Sequence, residues 1–159
     1  MKSLKFITVC LVILVSGNVF GQGNDKAVTT RYDAQLAQKV GADDYGMKTY
    51  YFVFLKRGNA SIADSALRMN IQVGHLKNIM RLANENKMVL AGPFLDDQQY
   101  RGIFIFNASS QEEVEEWLKT DPAIKAGVLT AEVHPWYGSA ALMELAPIHE
   151  SIQKHSIAE

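Results

Sequence analysis

Apolar and polar residues follow two different periods along the chain, and the changes of period mark out its elements. The segment 49–56, TYYFVFLK, is dense in aromatic and β-branched residues and predicts a strand. From about Ala63 to Asn84 the apolar positions recur at helical spacing. This long helix is entered from a Gly58-Asn59 turn and Ser61, and Asn84-Glu85-Asn86 closes it. MVLAG, 88–92, predicts a second strand, stopped by Pro93, which has no N–H to give a ladder. The polar loop from Asp96 to Gln99 leads into a third strand, GIFIFN, 102–107. Ser110-Gln111-Glu112-Glu113 has the form of a capping box, in which hydroxyl and carboxylate each satisfy an orphaned N–H, and it opens a short helix through about Lys119. VLTAEV, 128–133, is the fourth strand.

The order is βαββαβ. Short connections and right-handed crossovers fold that order into an α+β, ferredoxin-like four-stranded antiparallel sheet with both helices on one face. Period-two reading puts Tyr51, Val53 and Leu55 on one side of the first strand and Tyr50, Phe52 and Phe54 on the other. The third strand sets Ile103 and Ile105 against Phe104 and Phe106, so both faces of the sheet are apolar. A sheet covered by helices on one side only should alternate apolar with polar. The tail after Trp136 covers part of the second face at most, and a second copy packed sheet to sheet covers it most economically, so the sequence implies a homodimer.

Composition adds a compartment and removes several chemistries. The first 21 residues have the three parts of a cleavable export signal: Lys2 and Lys5, the apolar run Phe6 to Val15, then small and polar residues through Gly21. The apolar run is too short to span hydrocarbon comfortably. The expected organisation is a signal at 1–21, an extended lead-in at 22–47 with one helical turn around Ala34 to Lys39, an α+β domain at 48–137 and a tail at 138–159, in a periplasmic or secreted protein with no membrane contact once the signal is gone. Removing the signal takes two lysines and no acid, so 16 basic and 17 acidic residues become 14 and 17, and a net charge of −1 becomes about −3. Cys10 is the single cysteine and lies within the signal, which leaves the rest of the chain without disulfide, thiolate nucleophile or sulfur-ligated metal. There is no basic aromatic stripe for nucleic acid, no Gly-rich phosphate loop and no nucleophile elbow, and the histidines His134, His149 and His155 have no ligand spacing. The sequence therefore calls for no cofactor and no metal.

The chemistry that remains rests on two residues. With the first helix wound at about 100° per residue from Leu67, Ile71, Leu82, His75 and Ile79 fall at roughly 40, 60, 80 and 120°. His75 thus sits in the centre of the stripe that must face the sheet. The second helix presents Val114, Trp117 and Leu118 at i, i+3 and i+4, and Asp121 follows at i+7 on the same side. The two helices lie side by side, so an imidazole and a carboxylate point into one layer. Taken singly, each has a plain structural explanation: a hydrogen-bonded core histidine, and a turn residue before Pro122. Taken together they form a dyad in which the carboxylate accepts the Nδ1 proton, fixes the tautomer and leaves Nε2 to move a proton on a bound molecule.

The residues from His75-Leu76, through Ala91-Gly92-Pro93-Phe94 and the Ser110–Glu113 box, to Thr120-Asp121-Pro122, Ala126-Gly127 and Glu132-Val133-His134-Pro135-Trp136 resemble the YCII-related domain over roughly residues 49–137. The resemblance implies a dimeric α+β barrel related to muconolactone isomerase, with a His and an Asp as the active-site pair, roles that fall on His75 and Asp121. A related member is a dehydrochlorinase of a chlorinated aromatic. This chain departs from the usual single-domain cytosolic pattern by its signal, lead-in and tail.

Around the dyad, Gly92 and Pro93 are candidates to bring backbone close to a substrate, and Tyr51 to donate its phenol to a substrate oxygen. Tyr100 offers a second phenol, Trp136-Tyr137 a pocket rim, and Asp96-Asp97 a cation site or, more simply, a solvated turn. The expectation is an exported homodimer acting on a small organic ring or enol-type compound as a cofactor-free isomerase or lyase by His-Asp acid/base chemistry. The competing expectation is a small-ligand-binding or scaffold protein whose His-Asp pair only fixes helix packing.

Overall fold

The computed structural model describes residues 32–157. The expected signal at 1–21 and the start of the lead-in, 22–31, lie outside them. The elements are α1 (Ala34–Val40), β1 (Met47–Arg57), α2 (Ser65–Asn84), β2 (Met88–Pro93), β3 (Tyr100–Phe106), α3 (Gln111–Leu118), α4 (Pro122–Lys125), β4 (Leu129–Ser139), a 3₁₀ turn (Ala140–Glu144) and α5 (Leu145–Ile152). The strands form one sheet in the order β2-β3-β1-β4, every neighbouring pair antiparallel. This is the ferredoxin-like α+β arrangement that the βαββαβ pattern predicts.

Local chemistry explains where the helices begin. Asp64, and not Ser61, caps α2, its carboxylate accepting from Ala66 N and Leu67 N. Ser110 Oγ accepts from Glu113 N, while the Glu113 carboxylate reaches back to Ser109 N, one residue earlier than a standard capping box. Asp33 caps α1 and Gly41 ends it in the left-handed region at φ 69°, so a full two-turn helix stands where the sequence suggested a single turn. The fourth strand runs to Ser139, well beyond the predicted 128–133, because β1 offers it an eleven-residue partner from Met47 to Arg57.

Register sorts the sheet into two faces. Val53 lies opposite Phe104 and Val133; with Leu55, Met88 and Phe106 these residues pack against Leu82, Val114 and Leu118 in the core beneath the helices, while Ala91, opposite Phe104 on the edge strand, is exposed. On the other face Tyr50 is fully buried, its hydroxyl donating to Ser139 O, and the 3₁₀ turn packs beside β1 and β2. The chain's own tail thus covers one end of this face. The other end keeps a run of rings in mutual contact, Trp136, Phe52, Phe54 and Tyr100, of which Trp136 is 37% and Tyr100 44% exposed.

Candidate functional site

His75 is set by the middle of α2, where the apolar stripe turns it onto the sheet. It is buried, 9% exposed, and its ring lies over Phe104 at 6.1 Å between centroids. Asp121 comes from a different place than the sequence suggests. The helix that was to carry it at i+7 stops at Leu118, and Asp121 instead caps the separate short helix α4, with Pro122 at its first position. The physical reason is Pro122, whose ring disfavours a helical residue before it and pre-sets a new helical start. The carboxylate is nonetheless 1% exposed.

The two side chains meet. His75 Nδ1 and Asp121 Oδ2 are 2.7 Å apart, and Asp121 Oδ1 accepts from Ala123 N at 2.8 Å. Both carboxylate oxygens are therefore committed, and each hydrogen bond fixes the orientation of the other. Gly74 makes the approach of the elements possible. A Cβ at this position would lie 3.0 Å from Pro122 Cγ, closer than ordinary van der Waals contact, so a side chain there would need α4 to give by a few tenths of an ångström. An ionised carboxylate only accepts, which places the proton on Nδ1 and, in the neutral ring, leaves Nε2 as a bare lone pair. Every buried side-chain nitrogen and oxygen among the described residues has a partner, and Nε2 bonds to none of them, so Nε2 is open to solvent.

A second polar contact runs alongside the dyad. Asn78, one turn after His75 and also 9% exposed, accepts at Oδ1 from Arg81 Nη2 (2.9 Å) and lies 2.9 Å from Thr120 Oγ1. Arg81 Nη2 also reaches Thr120 Oγ1, and Arg81 Nη1 pairs with Glu85. The connection 119–121 thus meets α2 twice, at Thr120 with Asn78 and at Asp121 with His75. The sequence reading missed Asn78. On the same helical wheel it falls at roughly 20°, inside the stripe, and that angle was the available signal.

The other candidates make no hydrogen bond with the dyad. Gly92 pairs with Ile103 and so occupies the face away from the helices, while Pro93 is exposed at the end of β2. Tyr51 is on the helix face, packed against the core, and its hydroxyl makes no hydrogen bond with the dyad. Asp97 bridges Arg57 and Arg101, and these cations, Arg57 foremost, hold its carboxyl below the usual range. On the outer sheet face Glu132 joins Lys56 (2.7 Å) and His134 (2.9 Å); the Lys56 hydrogen bond is the main cause of its lowered pKa. Among the described residues no group of three His, Cys, Asp or Glu side chains is placed to hold a metal ion, and no helix is long and apolar enough to cross a membrane.

Two grooves stand out, and neither is lined by the dyad. One, of about 680 Å³, runs between the second half of α2, β2 and α5, with Ile79, Met80, Leu90, Leu145 and Ile148 in its walls. The other, about 440 Å³, lies between α3 and β4 around Leu118, Ile124 and Val133.

Comparison with known proteins bears on the same stretch of chain. The YCII-related domain matches residues 50–137, which runs from β1 into β4 and includes both members of the dyad. A solved structure, the 5-chloro-2-hydroxyhydroquinone dehydrochlorinase from Burkholderia phenoliruptrix AC1100 in complex with 2,5-dihydroxybenzoquinone, is similar at 22% identity. The similarity covers 55% of this chain and 92% of that one, with a TM-score of 0.43. A search of curated proteins found no match. Because the domain match takes in more than half of the 159 residues, the chain belongs to the YCII-related domain family.

Proposed function

We propose that the protein is a cofactor-free isomerase or lyase in which His75 transfers a proton on a small enol- or ring-type substrate and Asp121 orients the imidazole. The observation that carries this reading is the 2.7 Å contact between a buried carboxylate and Nδ1, with Nε2 left without a partner among the described residues. A carboxylate on Nδ1 fixes the tautomer in which Nε2 accepts, as a general base requires. In the forward direction a C–H bond breaks, its proton goes to Nε2, and the electron pair passes into a new π bond. Return of the proton at another carbon completes an isomerisation, and loss of a leaving group completes an elimination. His75→Gln removes the base and keeps a polar side chain of similar reach. It should abolish turnover with the far-UV circular dichroism and unfolding midpoint little changed; loss of the fold instead would favour a structural role.

That structural role is the second reading, favoured by the parallel Asn78–Thr120 contact, which also joins α2 to the 119–121 connection. In it the dyad holds two helical elements together in a ligand-binding or scaffold protein, and removal of one partner is costly because the other stays buried. Titration of the His75 ring by NMR separates the two. A resonance that moves when small enolic compounds are added supports proton transfer, and one indifferent to them supports the scaffold.

The assembly and compartment proposed with this function are a homodimer joined through the outer sheet face, and export directed by residues 1–21. The apolar run Trp136, Phe52, Phe54 and Tyr100 at the uncovered end of that face supports the dimer, since monomers rarely leave such a patch to solvent. The basic, apolar and small-residue order of the first 21 residues supports export.

A further inference from the structure

We infer that Asn78 is a substrate-binding residue of the His75 site, its Nδ2–H donating to the substrate oxygen on which negative charge collects as His75 takes a carbon-bound proton. The inference rests on the proton-transfer reading above and adds the group that reading lacks. Removing a proton next to a carbonyl turns that carbonyl into an enolate, and the developing charge needs a fixed donor in the site. Nothing in the dyad supplies one, because Nε2 is occupied with the proton and Nδ1 with Asp121.

The network around Asn78 decides which way its amide points. Arginine only donates, so the atom 2.9 Å from Arg81 Nη2 is the amide oxygen. Thr120 Oγ1 lies 2.9 Å from the same oxygen and shares its one proton between it and Trp117 O at 2.6 Å, so Arg81 is what fixes the amide. The amide is thereby locked, and Nδ2 with its two N–H groups faces the opposite way. It has no partner among the described residues, and since their buried polar side-chain atoms all have one, Nδ2 is open to solvent as Nε2 is. Residues at i and i+3 of a helix are neighbours, with Cβ atoms roughly 5–6 Å apart. One turn of α2 therefore presents an open base and an open donor side by side, each met from behind by an adjacent residue of one connection, His75 by Asp121 and Asn78 by Thr120. Helix packing alone uses only Oδ1 of Asn78. A buried asparagine with its oxygen engaged by Arg81 and its donors open is arranged for an acceptor that arrives from outside. Contact of the guanidinium with Oδ1 also polarises the amide and strengthens its N–H groups as donors.

The test uses 4-nitrophenolate, a stable aromatic oxyanion that mimics the enolate, titrated into the protein while the His75 ring and the Asn78 side-chain amide are followed by NMR. The wild-type protein should bind it with both sets of resonances shifting. Asn78→Asp keeps oxygens for Arg81 and Thr120 while removing the donors, and should bind about tenfold more weakly or worse, with an unchanged unfolding midpoint. Asn78→Ala is the second variant, free of the added charge, and should weaken binding in the same direction. If His75 responds but the Asn78 amide does not, or if both variants bind as the wild type does, this inference is overturned and the proton-transfer reading stands. If His75 itself does not respond, both are overturned.

Discussion

Asp121→Asn is the substitution whose consequence the geometry determines most closely. The carboxylate accepts twice, from Ala123 N at 2.8 Å and from His75 Nδ1 at 2.7 Å, and an asparagine has one acceptor in place of two. If the amide oxygen stays on His75, the amide nitrogen faces Ala123 N–H, donor against donor, and leaves a buried N–H unsatisfied at about 1–3 kcal/mol. If the oxygen stays on Ala123, the amide nitrogen faces the ring and the imidazole must turn its lone pair to it. The second arrangement costs less: it exchanges a charge-assisted hydrogen bond for a neutral one, roughly 1–2 kcal/mol. The expected outcome is a folded protein with a midpoint about 4–8 °C lower, taking roughly 4 °C per kcal/mol for a domain of this size. Its neutral His75 should carry the proton on Nε2 and so no longer act as a base there. Thermal and urea unfolding give the stability, and long-range ¹H–¹⁵N correlation of the ring gives the tautomer. A variant whose Nδ1 remains protonated and whose stability lies within about 0.5 kcal/mol of wild type would refute the reasoning, since that result would mean the carboxylate is not what holds the ring.

Gly58→Ala should destabilise the protein by about 1–3 kcal/mol or prevent folding, because a Cβ there overlaps the carbonyl of Gly127 and crowds the backbone of Val128, and backbone on that side cannot swing away; urea unfolding measures it. Burial pushes the Tyr50 phenol up. A raised folded pKa gives stability that is complete below the ordinary tyrosine value and lost as pH rises through the folded one, so the unfolding free energy should fall on the alkaline side, above about pH 10, and Tyr50→Phe should flatten that fall. Phe54→Lys places a charge in the middle of the outer aromatic run and should convert a dimer to a monomer in sedimentation velocity with the circular dichroism unchanged. A wild-type protein that sediments as a monomer at tens of micromolar would remove the sheet-to-sheet dimer from the account.

The sheet was legible because its signals are local: the aromatic density of residues 49–56, the ring-and-branch alternation of 102–106 and the stop at Pro93 each identify a strand without knowledge of its partner. Strand length was less so. Leu129–Ser139 extends through polar and aromatic positions because β1 pairs with all of it, and a partner's length is not written in the strand itself. The tail shows the same limit. Leu145, Ile148 and Ile152 have helical spacing but only tertiary contact with β2 makes α5 an element of the fold. For the site, His75 was legible as an imidazole inside an apolar stripe. Asp121 was placed in the right layer by the wrong construction: carrying the period of α3 three residues past Leu118 turns it inward, whereas the chain brings it inward through a new helix start at Pro122. Asn78 lay on the same stripe and passed unnoticed because an asparagine on a helix face reads as a surface residue until Arg81 and Thr120 are seen to hold it.

The central claim is that His75 Nε2 moves a carbon-bound proton. Exchange of α-hydrogens with deuterium in D₂O, followed by ¹H NMR on cyclic ketones and enones, tests it without knowledge of the natural product. The account predicts exchange accelerated by the wild-type protein and reduced to the uncatalysed rate by His75→Gln in a folded variant. Equal exchange by the two proteins, or none above background in either across the series, would contradict it.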